Sequence, residues 1–217
     1  MPTLKLAIAN RNYSSWSLRA WLVLERTQAP FDVLVIPLRQ PDTAAEIRKR
    51  SPSGRLPALL DGPLVVWDSL AIAEYVAERF PSAHLWPADA GARATARSVC
   101  AEMHGGFTAL RQALPMNIRR RRPGGFDAPS VQQDIARMTK VWSDLRHAFG
   151  AGGPFLFGEY GIADAFFTPV AARFRTYAVP LPPDAAAYRD ALLSWPAFRR
   201  WEAEAEREPW TIPEYDG

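Results

Sequence analysis

The feature that most constrains this fold is a change of hydrophobic pattern near residue 80. Before it, short β-branched runs alternate with stretches of helical period, and after it the apolar residues repeat at helical spacing alone. The first part predicts the element order β-α-β-α-β-β-α, and the second part predicts only helices. We therefore expect an α/β domain over residues 1–82 and an all-α domain over residues 88–217, joined by a proline-containing linker.

Two runs, Lys5 to Asn10 and Phe31 to Leu38, predict parallel strands because the helical stretch between them is long enough for a crossover. A second pair, Leu56 to Leu60 and Leu64 to Trp67, is separated by Asp61-Gly62-Pro63, a composition typical of a tight turn between antiparallel strands. A first helix is expected over Trp16 to Leu24, opened by one of the serines Ser14, Ser15 and Ser17. Further helices are expected at about Thr43 to Arg50, Leu70 to Phe80, Ala92 to Leu114, Val131 to Phe149, Ile162 to Tyr177, Ala185 to Ser194 and Ala197 to Arg207.

Composition excludes several classes of function. A net charge of +3 over 217 residues is too small for a dedicated nucleic-acid binder, and we interpret the run Arg119 to Arg122 as a solvated loop or as a rim that attracts anionic substrates. The single cysteine, Cys100, cannot form an intramolecular disulfide, and with three scattered histidines it does not supply a zinc site. Because no signal peptide or membrane-spanning run is present, we expect a cytoplasmic protein without a membrane partner or a metal.

Four motifs stand in order along the chain: Asn12-Tyr13-Ser14-Ser15-Trp16-Ser17-Leu18-Arg19, Ser51-Pro52-Ser53-Gly54-Arg55-Leu56-Pro57, Asp68-Ser69 and Gly161-Ile162-Ala163-Asp164. Together with the α/β-then-helical order, they resemble the cytosolic glutathione transferases of the serine type (tau, zeta and theta-like) over essentially the whole chain. In that family the second motif carries a cis proline, the third reads Glu-Ser and the fourth is a capping box. The resemblance implies a thioredoxin-like N-terminal domain, an all-α C-terminal domain and glutathione as co-substrate.

The resemblance makes Ser14 the catalytic residue, as an activator of the glutathione thiol. A thiol at a helix start meets a hydroxyl donor and the positive end of the helix dipole, and both lower a thiol pKa. The alternative is that Ser14 only caps the helix, as Ser15 and Ser17 are also able to do. Ser15 can share the contact with glutathione.

The remaining glutathione contacts follow from the same resemblance. Leu56, before a cis Pro57, would present its backbone to the cysteine of the peptide, as an added strand does. Asp68 and Ser69 begin the third helix and would bind the γ-glutamyl ammonium and carboxylate. Candidates for the glycine carboxylate are Arg39, Gln40 and Arg55.

For the electrophile pocket we predict side chains from the first long helix of the second domain and from the segment after Pro115. They are Met103, His104, Phe107, Met116, Asn117 and Arg119. An aromatic and methionine stripe is more often core than pocket, and a lone helix histidine is usually structural. The polar members of the set predict a preference for amphipathic or anionic electrophiles.

The leading interpretation is an enzyme that transfers alkyl or aryl groups to glutathione. Two alternatives are a non-catalytic glutathione-binding or dimerisation module and a glutathione-dependent isomerase of the zeta kind. The isomerase rests on the Ser14-Ser15 pair, although Trp16 stands where the zeta pattern has cysteine. The family implies a homodimer, with Trp67, Arg79, Phe80 and the face of Ala92 to Ala101 as interface candidates.

Overall fold

The computed structural model describes residues 4–216 and contains a four-stranded mixed sheet. Its strands are β1 (Leu4–Ile8), β2 (Phe31–Val35), β3 (Ala58–Asp61) and β4 (Leu64–Trp67). The spatial order is β2-β1-β3-β4, in which β1 and β2 are parallel while β3 is antiparallel to both β1 and β4. The predicted parallel crossover and the predicted antiparallel hairpin are both confirmed.

Three helices accompany the sheet: α1 (Ser15–Thr27), α2 (Thr43–Arg48) and α3 (Ser69–Arg79), followed by a 3-10 turn at Pro81–Ala83. The apolar face of α1, with Leu18 and Leu22, is fully buried in the same core as Leu6 and Ile8 of β1. This packing of helices on a small mixed sheet confirms the predicted thioredoxin-like arrangement of the first part of the chain.

The rest of the chain is helical. The helices are α4 (Ala90–Gly105), α5 (Thr108–Ala113), α6 (Pro129–Phe149), α7 (Ile162–Thr176), α8 (Pro183–Ser194), α9 (Pro196–Arg207) and α10 (Pro213–Asp216). Nearly every residue of α7 is buried, because this helix packs against α1, α4 and α8. Across residues 4–216, no helix combines the length and the apolar character needed to cross a membrane.

The structure divides the helix that the sequence predicts from Ala92 to Leu114. The first part, α4, ends at Gly105, Gly106 is extended, and Phe107 takes a left-handed conformation with φ 55° before α5 starts. Two consecutive glycines weaken a helix because they lose more backbone entropy than other residues. A side chain at Gly106 would also come within 2.7 Å of the Glu102 carbonyl oxygen, so this close turn requires glycine.

The start of α7 is held by a buried carboxylate. Asp164 Oδ2 accepts a hydrogen bond from the Gly161 N–H at 2.9 Å, while Oδ1 accepts from the Leu156 N–H at 3.1 Å and the Tyr188 hydroxyl at 2.8 Å. This confirms the predicted return of Asp164 to the backbone before the helix. Burial raises the pKa of Asp164 to about 6, against the opposing effect of its three donors.

We predict that Asp164→Ala lowers the free energy of unfolding by about 3–5 kcal/mol, because it leaves two buried donors and one partly buried donor without an acceptor. Urea unfolding followed by circular dichroism measures the change. The control is Asp190→Ala, which removes an exposed carboxylate paired with Arg189 and should cost less than about 1 kcal/mol. Equal losses in the two variants would contradict the role given to Asp164.

Candidate active site

A cavity of about 350 Å³ lies where the sheet, the start of α3 and the end of α4 meet. We name it the first cavity. Its lining comes from four separate parts of the sequence, and consists of Trp16, Ser53, Arg55, Leu56, Pro57, Trp67, Asp68, Ser69 and His104. The structure thus brings the second and third motifs of the sequence to one place.

The peptide bond between Leu56 and Pro57 is cis, as the sequence resemblance predicts. Pro57 is buried immediately before β3, and Leu56 is half-buried at the cavity. An extended backbone segment at a cavity wall is suited to pair with the backbone of a bound peptide.

The start of α3 provides a second polar wall. Asp68 has φ 73° and caps the helix, with its Oδ1 accepting from the Leu70 N–H at 2.8 Å. The Ser69 hydroxyl is buried and has no hydrogen-bond partner among residues 4–216, although its residue lines the cavity. A helix N-terminus with an unused hydroxyl is a site for a carboxylate, because both present donors to a negative charge.

His104 reaches this cavity from α4. Its Nε2 lies 3.3 Å from Asp68 Oδ2, and its ring meets the edge of Trp16 with centroids 5.0 Å apart. Burial lowers the pKa of His104 and outweighs the opposite effect of the Asp68 carboxylate. The imidazole is therefore neutral at neutral pH and lies beside the Asp68 carboxylate.

The start of α1 lies beside a second cavity, of about 280 Å³. Ser14 caps α1: its Oγ accepts from the Ser17 N–H at 3.3 Å and donates to Ser17 Oγ at 2.8 Å. Ser15 Oγ accepts from Arg173 Nη2 at 3.3 Å. Trp16 lines both cavities, so the two serines and the first cavity are adjacent.

The second cavity combines aromatic and basic groups. Besides Ser14, Ser15 and Trp16 it is lined by Tyr13, Leu38, Arg111, Pro115, Met116, Arg173 and Tyr215. The sequence places Arg111 at helical spacing with Met103 and Phe107 on the helix expected to wall the cleft, and Arg111 lines this cavity. Sequence reasoning did not assign Trp16, Arg173 or Tyr215 to the site, and Arg173 lies on a helix whose sequence reads as core.

Arg19 is a third cation near this place. Its guanidinium is fully buried, with its carbon 4.5 Å from the Trp16 ring centroid and 4.9 Å from that of Phe166, and no nitrogen of it has a hydrogen-bond partner among the described residues. Burial, together with the smaller effect of the neighbouring Arg173 and Arg111, lowers the pKa of Arg19 to about 9. The guanidinium of Arg19 is therefore charged at neutral pH and packs against the Trp16 ring.

The structure places the six residues predicted for the electrophile pocket in three different environments. Met116 lines the second cavity and His104 the first, while Met103 and Phe107 are buried in the core. Asn117 and Arg119 line neither cavity. The arginines that line the second cavity are Arg111 and Arg173.

Asn117 and Arg119 instead hold the C-terminal segment. The Asn117 amide donates to Asp216 Oδ1 at 2.7 Å and to the Tyr215 carbonyl at 3.1 Å, and its oxygen accepts from Asn12. Arg119 donates to the carbonyls of Glu208 and Trp210 at 2.8 and 2.9 Å and to the Tyr13 hydroxyl at 3.1 Å. Because Tyr13 and Tyr215 line the second cavity, these bonds help to fix the position of two of its walls. The helix α10, which the sequence did not predict, depends on them.

The candidates for a glycine carboxylate are also separated. Arg55 is exposed at the rim of the first cavity. Arg39 pairs with Glu214 at 3.8 Å near the C-terminus, and Gln40 donates to the Leu38 carbonyl at 3.4 Å. Of the three, Arg55 is the one that lines the first cavity.

Comparisons with known proteins agree with this geometry. The family model described as glutathione S-transferase, N-terminal domain, matches residues 13–79. Glutathione S-transferase 3 of Zea mays is 30% identical over 198 residues, covering 87% of this chain and 84% of that protein. Maleylacetoacetate isomerase of Pseudomonas aeruginosa is 30% identical over 206 residues, covering 91% and 88% of the two proteins.

Solved structures share the fold. A glutathione transferase homologue from Burkholderia, with bound glutathione, superposes with a TM-score of 0.73 at 22% identity and covers 95% of this chain and 100% of that one. With the cis proline, the capped start of α3 and the serine turn before α1 gathered around adjoining cavities, and relatives matched over most of its length, the chain belongs to the glutathione S-transferase family.

Proposed function

We propose that this chain is a glutathione transferase in which the first cavity binds glutathione and the second cavity binds an electrophilic small molecule. Residues 1–82 would form the glutathione-binding domain, and residues 88–217 would contribute most of the electrophile site. In the reaction the glutathione sulfur forms a bond to the electrophilic carbon, and the leaving group departs with its electron pair. The thiol proton passes to solvent.

The observation that carries this proposal is the pairing of two features in the first cavity. Leu56, before a cis Pro57, offers a backbone segment for the cysteine of glutathione, and the buried Ser69 hydroxyl offers an unused donor at the start of α3. A tripeptide with a carboxylate at its γ-glutamyl end satisfies both. Asp68 would accept from the γ-glutamyl ammonium, and His104 lies beside the Asp68 carboxylate. Arg55, at the rim of the cavity, would bind the glycine carboxylate.

The thiolate would be stabilised at the start of α1. A sulfur reaching the Trp16 side of the cavity approaches the positive end of this 13-residue helix and the hydroxyl of Ser14. The Ser14 hydroxyl donates to Ser17 Oγ in this structure, and rotation about its Cβ–Oγ bond redirects the proton to sulfur. Arg19 behind Trp16 adds a buried positive charge, which favours the thiolate over the thiol.

We predict that Ser14→Ala lowers kcat/KM for glutathione and 1-chloro-2,4-dinitrobenzene by roughly 10- to 1000-fold, the effect of losing one donor to a developing charge. Binding of glutathione, followed by calorimetry, should persist. The matched control is Ser194→Ala, which changes an exposed serine on α8 whose hydroxyl donates to Ala191.

Ser15→Ala separates the two serines. If Ser15→Ala abolishes turnover while Ser14→Ala leaves it unchanged, the hydroxyl that contacts sulfur is that of Ser15 and the role given to Ser14 is wrong. Because Ser15 Oγ accepts from Arg173, its own hydroxyl proton points away from Arg173 and is free to bond elsewhere. The two variants therefore compare two hydroxyls that could each donate to sulfur.

Ser69→Ala should weaken glutathione binding by roughly 10- to 100-fold, since a hydrogen bond to a charged group is worth about 1.5–3 kcal/mol. The change should appear in the Kd and KM for glutathione, with a smaller effect on kcat at saturation. Ser194→Ala, on α8 and outside the lining of both cavities, is the control. A Kd that does not change in Ser69→Ala would exclude this hydroxyl as the carboxylate donor.

Glutathione-dependent isomerisation is the second candidate. It is supported by the 30% identity to a protein named maleylacetoacetate isomerase and by the tandem Ser14 and Ser15, which both line the second cavity. Such an isomerase uses the thiolate as a reversible nucleophile, so the same cavities would serve. Assay of maleylacetoacetate isomerisation with the purified protein, beside the chloroarene assay, distinguishes the two reactions.

We further propose that the protein is a cytoplasmic homodimer. Trp67 on the edge strand β4 is 45% exposed, Leu64 on the same strand is exposed to the same extent, and Arg79 and Phe80 end α3 near them. An apolar edge of this kind fits a two-fold interface, because one patch can face its own copy. The face of Ala92 to Ala101 on α4 would extend it.

Sedimentation at micromolar concentration should give about twice the 24.2 kDa chain mass. We predict that Trp67→Ser shifts the equilibrium toward monomer, because it removes a large apolar group from the proposed interface. Leu34→Ser, on the opposite edge strand β2 and 38% exposed, should leave the dimer intact. A wild-type chain that sediments as a monomer would refute the dimer.

A further inference from the structure

The second cavity carries a charge pattern that the proposed transferase activity does not itself require. Arg111 and Arg173 both line it, and among the residues of the described chain that line it there is no aspartate or glutamate. The basic groups stand beside Ser14 and Ser15, where the reacting sulfur would lie. The cavity is therefore positive at the place that an electrophile must enter.

Arg173 is held rigidly. Its guanidinium is buried and donates to the Leu114 carbonyl at 2.8 Å, the Pro169 carbonyl at 3.3 Å and Ser15 Oγ at 3.3 Å. These three acceptors are neutral, so the charge of the group has hydrogen bonds but no counterion among them. A buried cation solvated by dipoles alone retains a strong attraction for an anion that approaches it.

Arg111 stands nearer the rim. It donates to the His104 carbonyl at 3.1 Å, and its guanidinium carbon is 5.4 Å from the Trp16 ring centroid. Burial lowers its pKa, with Asp134 acting in the opposite direction, and Asp134 Oδ2 is already used by the Leu110 N–H at 2.9 Å. Arg111 and Arg173 repel each other, and the buried Arg19 repels both. An incoming anion relieves this repulsion.

The remaining walls are apolar or aromatic. Trp16, Met116, Pro115 and Leu38 offer apolar surface, and Tyr13 and Tyr215 have ring centroids 5.8 Å apart. At about 280 Å³ the cavity is of the size that holds one small molecule, and its aromatic walls suit a ring.

We propose that the second cavity selects anionic electrophiles, and specifically planar or aromatic carboxylates, whose carboxylate is bound by Arg111 and Arg173 while the ring lies against Trp16 and Met116. This inference rests on the proposed function, because it names the substrate class of that same site. Arg111 and Arg173 are specificity-determining residues in it. The reaction itself is unchanged: the glutathione sulfur attacks the electrophilic carbon.

The test compares two chloroarenes that differ in charge, 4-chloro-3,5-dinitrobenzoate and 4-chloro-3,5-dinitrobenzamide. In both, the glutathione sulfur bonds to the ring carbon that carries chlorine, and chloride leaves with the electron pair. Because the two rings differ in intrinsic reactivity, kcat/KM is divided by the uncatalysed rate constant with glutathione. The wild type should favour the benzoate by about 10-fold or more on this normalised scale.

Arg111→Gln should lower the ratio of benzoate to benzamide by about 10-fold or more, and Arg111→Lys should keep part of it. Arg122→Gln removes one positive charge from an exposed loop position outside the cavity, and should leave the ratio within about twofold of wild type. Thermal unfolding verifies that the variants fold. A ratio near one in the wild type, or a ratio that Arg111→Gln and Arg122→Gln change equally, overturns the proposal.

Binding of the two glutathione conjugates of these arenes, followed by calorimetry, separates this inference from the proposed function. If neither arene is turned over but the carboxylate conjugate binds at least 10-fold more tightly than the amide conjugate, and Arg111→Gln removes the difference, the anion site stands and the transferase proposal fails. If both arenes are turned over and the conjugates bind equally, the transferase stands and the anion site is wrong.

Discussion

The packing of α1 on α7 is the contact on which both cavities depend. Arg173 of α7 donates to Ser15 at the first turn of α1, and Arg19 of α1 lies between the rings of Trp16 and Phe166. Trp16 therefore has a fixed place, and it is the wall that the two cavities share. Since β1 pairs with β2 and β3 directly before this helix, the sheet is tied through α1 to the helical part of the chain.

That contact brings buried positive charge to the site. A guanidinium removed from water loses solvation, and here carbonyl oxygens around Arg173 and aromatic faces around Arg19 compensate for part of the loss. Neither device neutralises the charge. The remaining positive potential lies next to the start of α1, whose dipole has the same sign, so a negative charge placed there is stabilised by both.

The features that the sequence predicted correctly are local. The strand pattern, the turn at Asp61-Gly62-Pro63 and the carboxylate of Asp164 at the start of α7 each depend on residues a few positions apart. The cis bond before Pro57 came from a motif of seven residues. The break between α4 and α5 was also present in the sequence, as Gly105 and Gly106, but a continuous helical period on both sides concealed it.

The sequence by itself determined the order of elements and the helix caps, because hydrogen bonds within one turn and alternation within one strand follow from neighbouring residues. The residues expected around the first cavity came from the resemblance of their motifs to a known family. Only the tertiary structure decided which arginines face the second cavity. Arg119 donates to the carbonyls of Glu208 and Trp210 instead, whereas Arg173 donates to Ser15, which is 158 positions away in the sequence. The physical reason is that the rotation and crossing of packed helices depend on the shapes of whole surfaces, which the period of one helix does not specify.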